Sequence, residues 1–173
     1  MSSVAVLVPT WRRPRDLARC LEALRKQRRR PDRVLVVRRP EDEETRDVLA
    51  DANGHLPLEE VLVHETGQVA ALNAGLERVT EDVVAITDDD AAPRPDWVER
   101  VAEYFDRDPR LGAVGGRDWV YHGQELEEGS ERNVGTVAGY GRFLSFHHLG
   151  VGSAREVDFL KGANMSLRRR AVE

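Results

Sequence analysis

Asp88, Asp89 and Asp90 stand in a row in "AITDDDAAPRPDW", directly behind the short apolar run "DVVAIT". Three adjacent carboxylates repel one another, so clustering them costs stability unless a cation or hydrogen-bond donors neutralise them. In an extended chain residues two apart point the same way, which lets Asp88 and Asp90 face one site while Asp89 turns aside. Carboxylate oxygens with open coordination positions suit Mg2+ or Mn2+, ions that commonly bridge a protein and substrate phosphates. The alternative is that the tripeptide caps the following helix, since Asp and Pro favour turns and helix starts.

Other residue types fit the same chemistry. "VPTWRRP" places Pro9, Thr10, Trp11 and Arg12 at the end of an apolar run; Trp11 could stack on a nucleobase or pack into the core. "TGQVAALNAGLE" sets Gly67 ahead of a helical stretch and Asn73 and Gly75 within it. A helical glycine costs about 1 kcal/mol relative to alanine, and such a position usually permits close approach by something. His147 and His148 are adjacent, so at most one of them would join a given site; a structural or acceptor-loop role is preferred to metal binding. The lone Cys20 falls on an apolar helical stripe and reads as core filler rather than nucleophile.

The elements that must position these residues alternate. Val4–Thr10 is a continuous β-branched apolar run, suited to a strand covered on both faces. Leu17, Cys20, Leu21 and Leu24 recur at helical spacing behind Pro14, which fits a first helical turn. Arg33–Val37 predicts a second buried strand, and "EETRDVLADANG" a helix closed by Asn53-Gly54. "EEVLVHE" predicts a third strand, Val69 to Val79 a third helix, Asp82–Thr87 a fourth strand, Val98 to Phe105 a fourth helix and "LGAVGG" a further strand. This alternation implies an α/β fold with a mostly parallel sheet flanked by helices, and ligands in such sheets bind at the carboxyl edge of the strands. Residues 118–156 show weak periodicity and read as a loop-rich segment; order returns at Val157.

The totals narrow the class. The chain has 173 residues, 40% hydrophobic and 33% charged, with no apolar run long enough to cross a bilayer. A single domain and a cytoplasmic chain are expected. A net charge of −5 argues against nucleic acid as the main partner. The local basic block Arg25–Arg33 reads as a solvated helix end, with peripheral membrane contact as the alternative. Phosphate-loop and dinucleotide signatures are absent, since neither GxxxxGK[ST] nor GxGxxG occurs.

In order, "VPTW", "G…ALNAG", "DDD…P.PDW" and "GANMSLRR" resemble the nucleotide-sugar-binding half of an inverting family 2 glycosyltransferase with the GT-A fold. The resemblance covers essentially the whole chain. It implies transfer of a sugar from a nucleoside diphosphate (UDP or GDP type) to a hydroxyl of a carbohydrate, lipid-linked or small-molecule acceptor. Asp88 and Asp90 match the family's DxD, with Asp90 the direct ligand of Mg2+ or Mn2+. Pro9, Thr10, Trp11 and Arg12 match its nucleotide-binding loop, Gly67 and Asn73 the segment passing the base and ribose, and Gly162 and Asn164 the segment beside donor sugar and acceptor; Asp89 and Arg38 join the nucleotide-sugar set.

Departures from the pattern matter equally. Where the family has an acidic pair after strand two, one member of which reads the base, this chain has Arg38 and Arg39; Asp42 could substitute, or the arginines could contact phosphate. Leu72 stands where a basic residue is usual. The family continues past this point into "GGFDE"-like sequence bearing the general base. Asp118 and Asp158 are the candidates within the chain, and the alternative is a catalytically incomplete domain that holds a nucleotide sugar within a larger assembly.

Overall fold

The computed structural model describes residues 1–172. Strands and helices alternate as β1 (Val4–Pro9), α1 (Pro14–Arg25), β2 (Arg33–Arg38), α2 (Glu43–Ala52), β3 (Leu58–Leu62), α3 (Gln68–Leu76), β4 (Val83–Thr87) and α4 (Trp97–Arg107). Strand β5 (Ala113–Gly115) follows. Two small hairpins then pair β6 (Tyr121–His122) with β7 (Glu125–Leu126), and β8 (Thr136–Val137) with β9 (Phe143–Leu144). Strand β10 (Asn164–Arg168) comes last. Among the described residues no helix is long and apolar enough to cross a membrane.

The six-stranded sheet has the order β3-β2-β1-β4-β10-β5. Strands β1 to β4 are mutually parallel, as their unbroken apolar sequences predict, because both faces are covered. Val4, Val6, Val8, Val34, Val36 and Ala85 pack against α1, α2 and α4. The alternate residues Ala5, Leu7, Leu35, Val37, Val84 and Ile86 face α3. Strand β10 is antiparallel to both of its neighbours, β4 and β5. That reversal was not expected from the sequence, and it brings the start of β10 to the edge where β4 ends: Asn164 pairs with Thr87.

Local chemistry sets the helix boundaries. Pro14 opens α1, and Asp42 caps α2 by accepting the Thr45 amide at 3.2 Å. Helix α2 ends at Ala52, with Asn53 extended and Gly54 taking the left-handed conformation at φ +86°. Helix α3 ends at Leu76, short of the predicted Val79, which is nevertheless buried.

What approaches Gly75 is the sheet itself. A Cβ at this position would lie 2.3 Å from Leu7 Cδ1 and 3.0 Å from Val37 Cγ2, both on fully buried side chains. The glycine therefore sets the distance of α3 from the strands that carry the site. Gly75→Val is expected to destabilise the fold by about 1–3 kcal/mol through overpacking, read as a lower midpoint in urea denaturation.

Candidate functional site

The predicted site residues converge on the carboxyl edge of the parallel strands. Thr10 follows β1, Arg38 to Asp42 follow β2, Asp88 to Asp90 follow β4, and the reversed β10 contributes its first residue there. The chain turns immediately after β4, with the Ala91 amide donating to the Asp88 carbonyl at 3.2 Å. The three carboxylates thereby separate: Asp88 is half-buried, Asp89 buried and Asp90 exposed.

Asp89 is turned inward. Its carboxylate accepts the Thr10 hydroxyl at 2.7 Å and the Arg13 guanidinium at 3.3 Å. The same Arg13 nitrogen donates to Asp90 at 3.1 Å. This clasp ties the end of β1 to the end of β4 and offsets the mutual repulsion of the acids. Asp89, expected among the nucleotide-sugar contacts, thus spends its carboxylate on contacts within the fold. Arg13 was missed in the sequence, although its place two residues after Trp11 on the nucleotide loop was the available signal.

Asp88 lacks such a partner. Gln68 at the start of α3 donates to it at 3.3 Å, while burial, and then the neighbouring charges of Asp90 and Asp89, raise its pKa above the ordinary aspartate value. Excess negative potential with oxygens facing an open edge is an environment that a cation relieves. Among the described residues no three His, Cys, Asp or Glu side chains converge as a metal cage. The donor set fits an ion that completes its shell with water and phosphate oxygens, as Mg2+ and Mn2+ do.

The end of β2 is basic. Arg38 is 4% exposed, pairs with Glu60 and donates to the carbonyls of Arg39, Pro40 and Asp42 at 2.9, 3.2 and 3.2 Å. Arg38, expected among the nucleotide-sugar contacts, thus directs its Nε and Nη1 donors into the fold. Asp42 is equally committed, to the Arg12 amide at 2.6 Å and the Thr45 hydroxyl at 2.7 Å. Arg12 adopts the left-handed conformation at φ 54° and presents that amide. The guanidinium carbons of Arg12 and Arg39 lie 4.7 and 4.6 Å from the Trp11 ring centre, and Trp11 remains partly exposed.

On the far side, Asn164 accepts the Trp97 indole N–H at 3.0 Å, so the "PDW" and "GAN" segments lock to one another. A Cβ on Gly116 would meet the Asn164 amide at 2.8 Å. Gly162 lies exposed in the turn before β10 with open space around it. Lys161, also missed in the sequence, forms a 2.7 Å ion pair with Asp118 and partly offsets the charge felt by Asp88. Its signal was a lone cation beside "GAN". Gly67, at φ +105°, opens α3, and Asn73 is exposed on that helix.

Asp158, His147 and Cys20 stand apart. Asp158 accepts the Val137 amide at 2.7 Å within the loop-rich segment, and none of its described contacts joins it to Asp88–Asp90. His147 is buried edge-on against Phe159, with ring centres 5.5 Å apart, a packing role. The Cys20 thiol is pushed up to about 12, chiefly by burial, so it is not a nucleophile at neutral pH. Among the described residues, four of the six cations in the basic block are paired: Arg25 and Lys26 with Glu22, Arg29 with Asp32, and Arg33 with Glu59 and Glu81.

A sequence model of glycosyl transferase family 2 matches residues 5–173. The amylovoran biosynthesis glycosyltransferase AmsE of Erwinia amylovora is 35% identical over 129 residues, 72% of this chain and 48% of AmsE. The mannosyltransferase PcManGT of Pyrobaculum calidifontis, solved in complex with GDP-Man and Mn2+, superposes with a TM-score of 0.60 at 30% identity, covering 66% of this chain and 35% of that one. Staphylococcus aureus TarS 1-349 with UDP-GlcNAc has a TM-score of 0.61 at 18% identity, covering 72% of this chain and 37% of that one, a likeness of fold. The chain thus spans less than half the length of each of these proteins.

Two outcomes follow from the clasp and its unpartnered neighbour. Thr10→Val leaves the buried Asp89 carboxylate short of a donor and is expected to lower stability by about 1–3 kcal/mol in chemical denaturation. Asp88 binds protons more readily folded than unfolded, so its ionisation costs stability above its raised pKa, and that cost vanishes below the unfolded value of about 3.9. Asp88→Asn is therefore expected to raise the thermal midpoint at pH 7, with the gain shrinking as pH falls toward 3.

Proposed function

The chain belongs to glycosyl transferase family 2, and from that premise we propose that it binds a nucleoside-diphosphate sugar at the carboxyl edge of its sheet for inverting transfer of the sugar to an acceptor hydroxyl. The observation that carries this reading is the Thr10–Asp89–Arg13 clasp, which holds Asp88 and Asp90 at a strand end despite their repulsion. A cap on the following helix does not account for it: α4 begins only at Trp97, and the side chain that accepts from its first turn is Gln27, from the Val98 amide at 3.1 Å, not one of the three acids.

The reaction is a displacement. The acceptor oxygen attacks the anomeric carbon, the bond from that carbon to the diphosphate oxygen breaks, the hydroxyl proton passes to a base, and the diphosphate departs with added negative charge. Asp88 and Asp90 are the residues that would hold a divalent ion, Mg2+ or Mn2+, which as a Lewis acid stabilises the departing diphosphate by several kcal/mol. Arg13 and Lys161 place further positive charge beside the acids. Trp11 lines the nucleotide side, and the exposed turn at Gly162 leaves room for the sugar and acceptor.

Asp118 is ion-paired with Lys161 and Asp158 accepts the Val137 amide, which weighs against either as the proton acceptor. That same observation favours a second reading, in which these residues hold the donor and another part of a larger protein or assembly supplies the base. Both readings require donor binding. Calorimetric titration with GDP and UDP, each with and without Mn2+, is expected to give Mn2+-dependent binding that Asp90→Ala weakens at least tenfold; binding indifferent to both would refute the reading.

A further inference from the structure

At the end of β2 the carboxylates of Glu41, Asp42 and Glu60 are each engaged within the fold. Asp42 is 2% exposed and accepts from the Arg12 amide, the Thr45 amide and the Thr45 hydroxyl. Glu60 pairs with Arg38, and Glu41 with Arg39. Arg38 is spent inside the fold. Arg39 is the group that still has donors to offer: its Nε–H is buried without an acceptor among the described residues, and its guanidinium lies over Trp11 at 4.6 Å. A buried donor without an acceptor is rare in folded proteins and marks a place where a ligand belongs.

Resting on the donor-binding reading above, we infer that Arg39, stacked on Trp11, reads the nucleotide base, and that the base is guanine. A guanidinium is a rigid fork of donors with no acceptor, so it selects an edge carrying two adjacent acceptors. Guanine presents N7 and O6 side by side and is the usual bidentate partner of arginine; adenine sets an amino donor beside its N7, and cytosine presents an amino donor. Uracil interposes its N3–H donor between its two carbonyl oxygens, so a fork aligned on that edge meets a donor. The flat Trp11–guanidinium layer also gives a purine the larger stacking surface.

The test is calorimetric titration of the chain with GDP, UDP and ADP in Mn2+, repeated on Arg39→Ala and Arg39→Lys, with Asp90→Ala as the control for the diphosphate site and thermal midpoints as the check on folding. GDP is expected to bind about ten- to hundredfold more tightly than UDP or ADP. Both Arg39 variants are expected to bring GDP down to the level of UDP, the lysine variant because it keeps the charge but loses the fork. UDP or ADP binding as tightly as GDP, or a GDP preference that survives Arg39→Ala, would overturn the inference. If the diphosphates bind in an Asp90-dependent way without preference, the base assignment alone fails; if none binds, the donor-binding reading fails with it.

Discussion

The site depends on one contact, the 2.7 Å hydrogen bond from the Thr10 hydroxyl to Asp89, reinforced by Arg13. Three consecutive aspartates cannot all face one opening without raising one another's pKa. Burying the middle carboxylate against a hydroxyl and a guanidinium removes one negative charge from the surface while anchoring the backbone that carries the other two. Because Thr10 ends β1 and Asp89 follows β4, and these strands pair in parallel from Val4–Val83 to Leu7–Ile86, the sheet register sets where Asp88 and Asp90 emerge.

The rest of the fold serves that edge from both sides. Helix α3 lies close on the sheet because Gly75 has no Cβ, and its first residue, Gln68, reaches Asp88. Strand β10, inserted antiparallel between β4 and β5, delivers the segment before it to the same edge. Through the Trp97–Asn164 bond it also fixes the start of α4 against the opposite flank. Two arginine-stacked tryptophans stand on the loop after β1 and in the segment after β5: Trp11 with Arg12 and Arg39, and Trp119 with Arg94 and Arg117. Flat cationic and aromatic surfaces thus lie on both sides of an acidic centre.

Much of this was legible in the sequence because it is governed by local periodicity. The apolar runs at Val4, Arg33 and Asp82 could only be covered strands, and the spacing of Leu17, Cys20, Leu21 and Leu24 could only be a helix face; their positions follow within a residue or two. The acidic turn was legible as charge clustered at a strand end. What escaped depends on pairing between distant residues. The antiparallel insertion of β10 is decided by tertiary contact with β4 and β5. The burial of Arg38 is decided by Glu60 on the neighbouring strand, and the masking of Asp118 by Lys161, 43 positions away. Extended-chain alternation predicted that Asp89 would turn aside, but not that it would turn toward Thr10. Nor did periodicity show that the cations of Arg25–Arg33 are mostly matched to acids.

Charge bookkeeping around the acidic turn connects the geometry to the class of ligand. Asp88, Asp89, Asp90 and Asp118 face Arg13 and Lys161, so four carboxylates meet two cations and two negative charges remain. A divalent ion matches that remainder, and once it is offset the site carries no net repulsion toward a diphosphate. Without the ion a diphosphate would approach an acidic surface, which like-charge repulsion opposes. On the proposed donor-binding reading, the arrangement of the acids favours metal binding before or together with the nucleotide. On that reading the basic end of β2 contributes its attraction beside the carboxylates proposed to hold the ion, without neutralising them.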